Sequence, residues 1–261
     1  MGMRLDSRLV TLGLASSRAR AKELICGGQI TVNGMPVRKA AAEVFDSDEI
    51  LCAGGQLPFV GRGGLKLAHG VEQFHISLTG LTCLDIGAST GGFTDCMLQK
   101  GAARVYALDV GHDQLAQKLR QDLRVVNLEG VNIRDVRPEE FPSFDFIGTD
   151  VSFLSLGYVF PAATRLLKEG GTMIALIKPQ FEAGPKALNK HGVVKQPKDH
   201  LRSIESVLAS AQQHHFSIQG LIPSPIRGGS GNREYLLYLK KGGISRMPDV
   251  AAVVRCAFEA E

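Results

Sequence analysis

The chain has 261 residues, 44% of them apolar, which is enough to pack one ordinary domain and a small one and argues against disorder. No stretch approaches the roughly 20 apolar residues that span a bilayer, and the N-terminal MGMRLDSRLV lacks the apolar core of a signal peptide, so a soluble, cytoplasmic protein without a membrane partner is expected. The net charge of +4 permits a polyanionic partner without requiring one, and the five cysteines, odd in number and without a C-x-x-C pair, argue against a disulfide framework or a structural metal site. They are expected to be reduced packing residues.

Residues 1–52 read as one compact unit. Arg4–Leu12 and Ser17–Cys26 are helix-like, GGQITVNGMPV contains a hairpin signal at Val32-Asn33-Gly34-Met35, and a second short strand ends at Ile50. Its basic residues, Arg4, Arg8, Arg18, Arg20, Lys22, Arg38 and Lys39, all precede the acidic tail of Glu43, Asp46, Asp48 and Glu49. Arg18 and Lys22, four apart, share a helix face, as phosphate contacts should, although a solvated helix surface would look the same. The run RLDSRLVTLGLASSRARAKELICGGQITVNG resembles the S-four-type RNA-binding domain. That resemblance implies RNA contacts at Arg4, Ser17, Arg18, Lys22 and Asn33.

Residues 53–64, AGGQLPFVGRGG from Ala53, are glycine-rich without apolar periodicity and read as a linker. A helix-like run from Leu65 to Phe74 carries Lys66 at its start. From there to residue 261, apolar runs alternate with helical segments, the pattern of a mostly parallel α/β sheet. Strands are expected at Leu81–Leu84, Arg104–Leu108, Leu123–Leu128, Phe144–Thr149 and Thr172–Ile177. Pro197–His215 reads as a long helix, Phe216–Ile222 and Arg233–Leu239 as an antiparallel edge pair, and Pro248–Phe258 as a terminal helix without a legible role. Four histidines, His191, His200, His214 and His215, fall in loop or helix segments and are expected at the surface.

The first strand leads into LDIGASTGGF, Leu84–Phe93, a turn at the carboxyl edge of the sheet. Its glycines at 87, 91 and 92 let backbone approach a ligand, and Asp85 sits where a carboxylate could orient one. The spacing departs from G-x-G-x-x-G and resembles the first motif of S-adenosylmethionine-dependent methyltransferases. Gly87, Ser89 and Gly91 also match G-x-S-x-G, the nucleophile elbow of serine hydrolases, and a ligand-free glycine turn is the third possibility. Asp109, about 20 residues on at the end of the second strand, is placed to hold a cofactor ribose. The loop at 129–135 could border an adenine through Asn132, Arg134 or Asp135.

Asp150 and Lys178 emerge at the carboxyl ends of the fourth and fifth strands, where ligand crevices form in open sheets. With Lys66 and Glu234 they form an ordered K-D-K-E set resembling the tetrad of ribose 2'-O-methyltransferases. RGGLKL, DIGASTGGFTD, TDVSF, IKPQFEAG and SPIRGGSGNREYLLYL together resemble the TlyA (haemolysin A-like) family of ribosomal RNA cytidine 2'-O-methyltransferases; Gly61 departs from an expected serine. The resemblance implies an α/β fold, a Rossmann-like methyltransferase sheet over 65–261 behind a small α+β RNA-binding domain. It also implies S-adenosylmethionine as cofactor and ribosomal RNA or a ribosomal subunit as partner. Cofactor contacts are then Asp85, Gly87, Ser89, Gly91, Gly92, Phe93, Asp109 and Asn132.

A ribose hydroxyl is a poor nucleophile at neutral pH and needs a base within hydrogen-bond reach. Desolvation and a second lysine favour a neutral amine, while carboxylates oppose it. Lys178 is assigned as base, Asp150 as its orienting partner, and Lys66 and Glu234 as groups that position substrate and tune charge. The rival readings are a serine hydrolase using Ser89 and an inactive RNA-binding assembly factor.

Overall fold

The computed structural model describes residues 2–12, 14–15, 17–52 and 58–259, and the chain divides into two compact units, Met1–Val60 and Gly61–Glu261. In the first unit, β1 (Met3–Arg4) leads into α1 (Leu5–Thr11) and α2 (Arg18–Cys26), followed by β2 (Ile30–Val32), β3 (Met35–Pro36), β4 (Glu43–Val44) and β5 (Ile50–Cys52). Ser17 starts α2 by accepting the Arg20 amide, an N-cap that satisfies one free helix donor. Asn33 (φ 52) and Gly34 (φ 77) are both left-handed and close the β2–β3 hairpin, with Val32 opposite Met35. Leu5, Leu9, Ala21, Ile25, Ile30 and Val44 form the core. The strand expected to end at Ile50 instead begins there and pairs with β2, because Asp48 turns residues 45–48 by accepting the Phe45 amide.

The second unit opens with α3 (Gly63–Gln73), so Gly63 and Gly64 are the first turn of a helix; residues 53–57 of the expected linker lie outside the described residues. There follow β6 (Thr82–Ile86), α4 (Gly92–Gln99), β7 (Arg104–Asp109), α5 (Gln117–Arg120), β8 (Val125–Glu129), β9 (Phe144–Thr149) and α6 (Phe160–Leu166). The remainder is β10 (Leu167–Ile177), α7 (Pro179–Glu182), α8 (Pro197–Gln213), β11 (Phe216–Pro223), β12 (Tyr235–Lys241) and α9 (Val250–Glu259). The third strand starts two residues later than expected, since Leu123 lies in a turn and is 93% exposed.

The seven strands lie in the order β11-β12-β10-β9-β6-β7-β8. β12 runs antiparallel to both neighbours and the others run parallel. From β6 the chain winds outward to β7 and β8, then returns to β9 on the other side. This reversal makes the carboxyl end of the β6–β9 pair a topological switch point, where open α/β sheets bind ligands. Asp85 and Gly148 are register partners one step before the strands end. On one sheet face Ile147, Ala175 and Leu237 pack with Phe160, Ile204 and Val207, so the strand ends rest on a close-packed layer.

Candidate functional site

The β6–β9 ends approach so closely that only glycine fits at position 87. Its φ is +84, and a Cβ would stand 2.9 Å from the Asp150 carbonyl oxygen and 3.2 Å from Val151 Cα. The Gly87 and Ala88 amides both donate to the Leu108 carbonyl, pinning the loop to β7. Asp109 completes the anchor: one carboxylate oxygen accepts the Ser89 amide at 2.8 Å and the other the Gly111 amide at 2.7 Å. Asn132 turns the opposite wall by accepting the Arg134 amide.

These elements enclose a cleft of about 420 Å³ whose lining includes Gly87, Ser89, Asp109, Asn132, Arg134, Asp150 and Phe153, with Ile86, Leu108, Val110, Ile133 and Leu154 supplying apolar wall. An apolar slot bordered by the Asp109 carboxylate, with spare lone pairs, suits a purine and a ribose diol. Among the adenine-side candidates Asn132 and Arg134 line this cleft, and Asp135 does not. A smaller adjoining cleft of about 210 Å³ is lined by Gly61–Gly63, Gly87–Thr90, Gly92, Phe93, Asp150, Ser152 and Lys178. Asp150 and Ser152 border both.

Two expected cofactor residues line neither cleft. Asp85 is fully buried and turned toward α4, where one oxygen accepts the Thr94 amide and hydroxyl at 2.8 and 2.7 Å, while its other oxygen has no hydrogen-bond partner. Burial, reinforced by Asp150 and Asp109 and opposed by the Thr94 bonds, pushes its carboxyl up to about 7. Its role in this structure is to hold the loop-to-helix turn. Gly91 (φ +96) lies against Leu115 and Leu119, which a Cβ would strike, so its requirement for glycine is one of packing and backbone. At Gly61, the departure from serine, a Cβ would press on the Thr90 hydroxyl at 2.8 Å.

The tetrad assembles as two ion pairs. Lys178, just after β10, places its ammonium 2.6 Å from Asp150 Oδ1, an ion pair without the alignment of a hydrogen bond, and donates to Ser152 Oγ at 2.9 Å. Lys66 on α3 pairs with Glu234, just before β12, at 2.6 Å. This second pair is nearly closed to solvent, with side-chain exposures of 8% and 2%, and lines neither cleft. Charges this buried persist only when paired. Gln180 Nε2 reaches Glu234 Oε1 at 3.4 Å, tying the segment after Lys178 to the second pair.

The residues flanking Glu234 are each anchored. Asn232 bonds the Gly192 carbonyl and the Val194 amide. Arg233 donates to the Ala257 carbonyl and lies 4.0 Å over the Phe258 ring. Tyr235 OH lies 2.9 Å from His200 Nδ1. The terminal helix thus braces the start of β12. His200, expected at the surface, is fully buried; desolvation lowers its pKa, and its second ring nitrogen meets the Val194 carbonyl at 2.9 Å. Cys83 and Cys96 are the packing thiols, pushed up to about 12 by burial, whereas Cys26 and Cys256 are exposed.

In the first unit, the sequence-predicted RNA residues divide. Asn33 is committed to the hairpin, bonding Asp48 and the Glu49 amide, and Ser17 is committed to its cap. Arg4 and Arg18 both ion-pair Asp6, at 2.7 and 3.2 Å, yet remain 51% and 61% exposed. Hydrogen bonds from Arg4, then Arg18, hold the buried Asp6 carboxyl well below its usual range. Lys22 is exposed and has no ion-pair partner among the described residues.

The elbow reading fails on geometry: the Ser89 hydroxyl donates to Gln114 Oε1 at 3.1 Å rather than to a histidine. A Rossmann-like sheet with its glycine loop at the switch point and lysine–carboxylate pairs beside it defines the methyltransferase class. A Listeria monocytogenes structure provisionally named an S-adenosylmethionine-dependent methyltransferase shares this fold, with a TM-score of 0.53 over 69% of this chain and 99% of its own at 13% identity. Residues 59–241 match the FtsJ-like methyltransferase family and residues 3–50 the S4 domain. The chain belongs to the FtsJ-like methyltransferases and, within them, to the TlyA family. The Mycobacterium tuberculosis protein named 16S/23S rRNA (cytidine-2'-O)-methyltransferase TlyA is 42% identical over 239 residues, 91% of this chain and 89% of its own. A Streptococcus thermophilus structure provisionally named a hemolysin matches with a TM-score of 0.81 at 40% identity, over 99% of this chain and 96% of its own. No helix among the described residues is long and apolar enough to cross a membrane.

Proposed function

We propose that the chain transfers the methyl group of S-adenosylmethionine to the ribose 2'-hydroxyl of a cytidine in ribosomal RNA. In this reading residues 1–52 of the first unit grip RNA, the domain from residue 65 onward carries the chemistry, and the protein works in the cytoplasm on ribosomal RNA or a ribosomal subunit. One observation carries it: the Lys178–Asp150 pair stands at the junction of a nucleoside-sized cleft and a smaller polar cleft. Cofactor and acceptor can therefore meet at a single lysine.

When bound, S-adenosylmethionine supplies an electrophilic sulfonium methyl. Asp109 would hold its ribose and Asn132 would border its base, with the Gly87 loop leaving room beside the strand ends. Lys178 is placed to accept the 2'-hydroxyl proton as the oxygen bonds the methyl carbon and the carbon–sulfur bond breaks, its electron pair leaving with the thioether. Asp150 orients the amine and stabilises the ammonium that results. Lys66 and Glu234, closed off behind, fix the start of β12 and the Gln180 segment. Phe153 at the cleft rim is 90% exposed, lies 5.1 Å from the Phe181 ring and is suited to stack an unpaired base.

The test is transfer of isotopic methyl from the cofactor to ribosomal RNA by the full chain, with digestion to nucleosides. Label in 2'-O-methylcytidine supports the reading; label on a base, or none despite calorimetric cofactor binding, counts against it.

A further inference from the structure

Lys178 has more partners than the tetrad supplies. Its nitrogen lies 2.6 Å from Asp150 Oδ1 and donates to Ser152 Oγ at 2.9 Å, and the Phe181 ring centroid stands 5.9 Å away. A lysine acting as base is a neutral amine with two N–H hydrogens and one lone pair. With one hydrogen held by Ser152 Oγ and the other drawn to the Asp150 carboxylate as it comes into line, the lone pair is left with a single tetrahedral direction. All three residues line the smaller cleft, the space an acceptor ribose would enter.

Resting on the methyl-transfer reading above, we propose that Ser152 is a positioning residue for the reaction: its hydroxyl fixes the rotation of the Lys178 amine so that its lone pair faces the 2'-hydroxyl. Asp150 alone leaves that amine free to rotate about its Cε–Nζ bond. The backbone beside Ser152 is held accordingly. Phe153 has φ 62, a left-handed conformation strained for a side chain other than glycine, and this turn sends Phe153 to the rim while Ser152 faces the lysine. Asp150, at the end of β9, has its amide fixed to the Ile86 carbonyl at 3.0 Å. The serine is therefore supported on both sides by ordered backbone.

Single-turnover methylation of ribosomal RNA with saturating cofactor is compared in wild type, Ser152→Ala and Ser152→Thr, alongside cofactor affinity, RNA affinity and melting temperature. Loss of a hydrogen bond between neutral groups predicts that Ser152→Ala slows the step about 2- to 13-fold, with both affinities and the melting temperature unchanged. Ser152→Thr, which keeps the hydroxyl, restores most of the rate. A wild-type rate in Ser152→Ala, a parallel loss of affinity, or failure of threonine to rescue overturns the proposal. A second readout does not depend on methylation: trace acetylation of Lys178, followed by mass spectrometry relative to the other lysines. Losing the Ser152 hydroxyl frees the Lys178 nitrogen from a contact that restrains it, so Lys178 labels faster in Ser152→Ala than in wild type. If the wild type methylates no RNA, the reading of function fails and this labelling decides the Lys178–Ser152 coupling by itself, an unchanged rate refuting it.

Discussion

Gly87→Ala tests the geometry on which the site depends. At φ +84 an L residue costs about 1–2 kcal/mol. The new Cβ would also lie 2.9 Å from the Asp150 carbonyl oxygen, 3.1 Å from its carbonyl carbon and 3.2 Å from Val151 Cα. All three are backbone atoms, which cannot swing aside as a side-chain tip can, so the ends of β6 and β9 must separate. Overpacking of this kind costs about 1–3 kcal/mol, bringing the total to about 2–5 kcal/mol. At about 2–4 °C per kcal/mol for a domain of this size, the melting temperature falls by about 4–20 °C. The displaced backbone carries Asp150, so cofactor affinity by calorimetry should fall at least about tenfold, a loss of about 1.4 kcal/mol. Gly80→Ala is the control: φ is +75 with nothing within 4 Å of the new Cβ, so only the backbone cost applies and cofactor affinity stays put. Equal melting temperatures for the two variants, with unchanged affinity in Gly87→Ala, would refute the close-approach argument.

Lys178→Arg keeps the charge but cannot be deprotonated, so single-turnover methylation should fall by about 10² to 10⁴, and near-normal rates would reassign the base. Lys66→Met strands a buried carboxylate and should destabilise by about 3–5 kcal/mol in urea titration, with Lys66→Met/Glu234→Leu recovering most of it; equal losses in the single and double variants would deny the pair its coupling. Asp85 stays protonated in the folded state up to about pH 7 while an unfolded aspartate ionises near 4. The stability that Asp85 contributes should therefore decline as pH rises from about 4 to 7 and then level, so Asp85→Asn, which keeps an acceptor for Thr94, should lose less stability than wild type between denaturant titrations at pH 5 and pH 8. Lys22→Ala should weaken RNA binding and lower its salt slope by about one without changing stability. Arg18→Ala should do the same and also loosen the unit through Asp6; unchanged salt slopes would return both to ordinary surface.

Strand ends were the most readable feature of this chain. Phe144–Thr149 appears with the expected bounds, and Asp150 and Lys178 fall together at neighbouring strand ends because parallel strands all finish at one edge. The Lys66–Glu234 contact joins positions 168 apart, and only family resemblance could bring it forward. Asp85 was read as facing a ligand because β6 is buried on both faces, leaving no polar alternation to show which way a side chain turns. Asp6 was overlooked beside the basic residues it neutralises. His200, by contrast, could have been found: it shares the heptad-like apolar face of α8 with Ile204, Val207, Leu208 and Ala211. Ser152 and Phe153 stood in the TDVSF motif without a role, since their use depends on a left-handed turn that propensity does not announce.

The central claim is tested most directly by mapping ribose methylation along ribosomal RNA from cells with and without the protein. The structure's account predicts cytidine 2'-O-methylation that disappears when the protein is absent, returns with the wild-type chain and does not return with Lys178→Arg. Identical ribose methylation maps in both cells, or full restoration by Lys178→Arg, would contradict it.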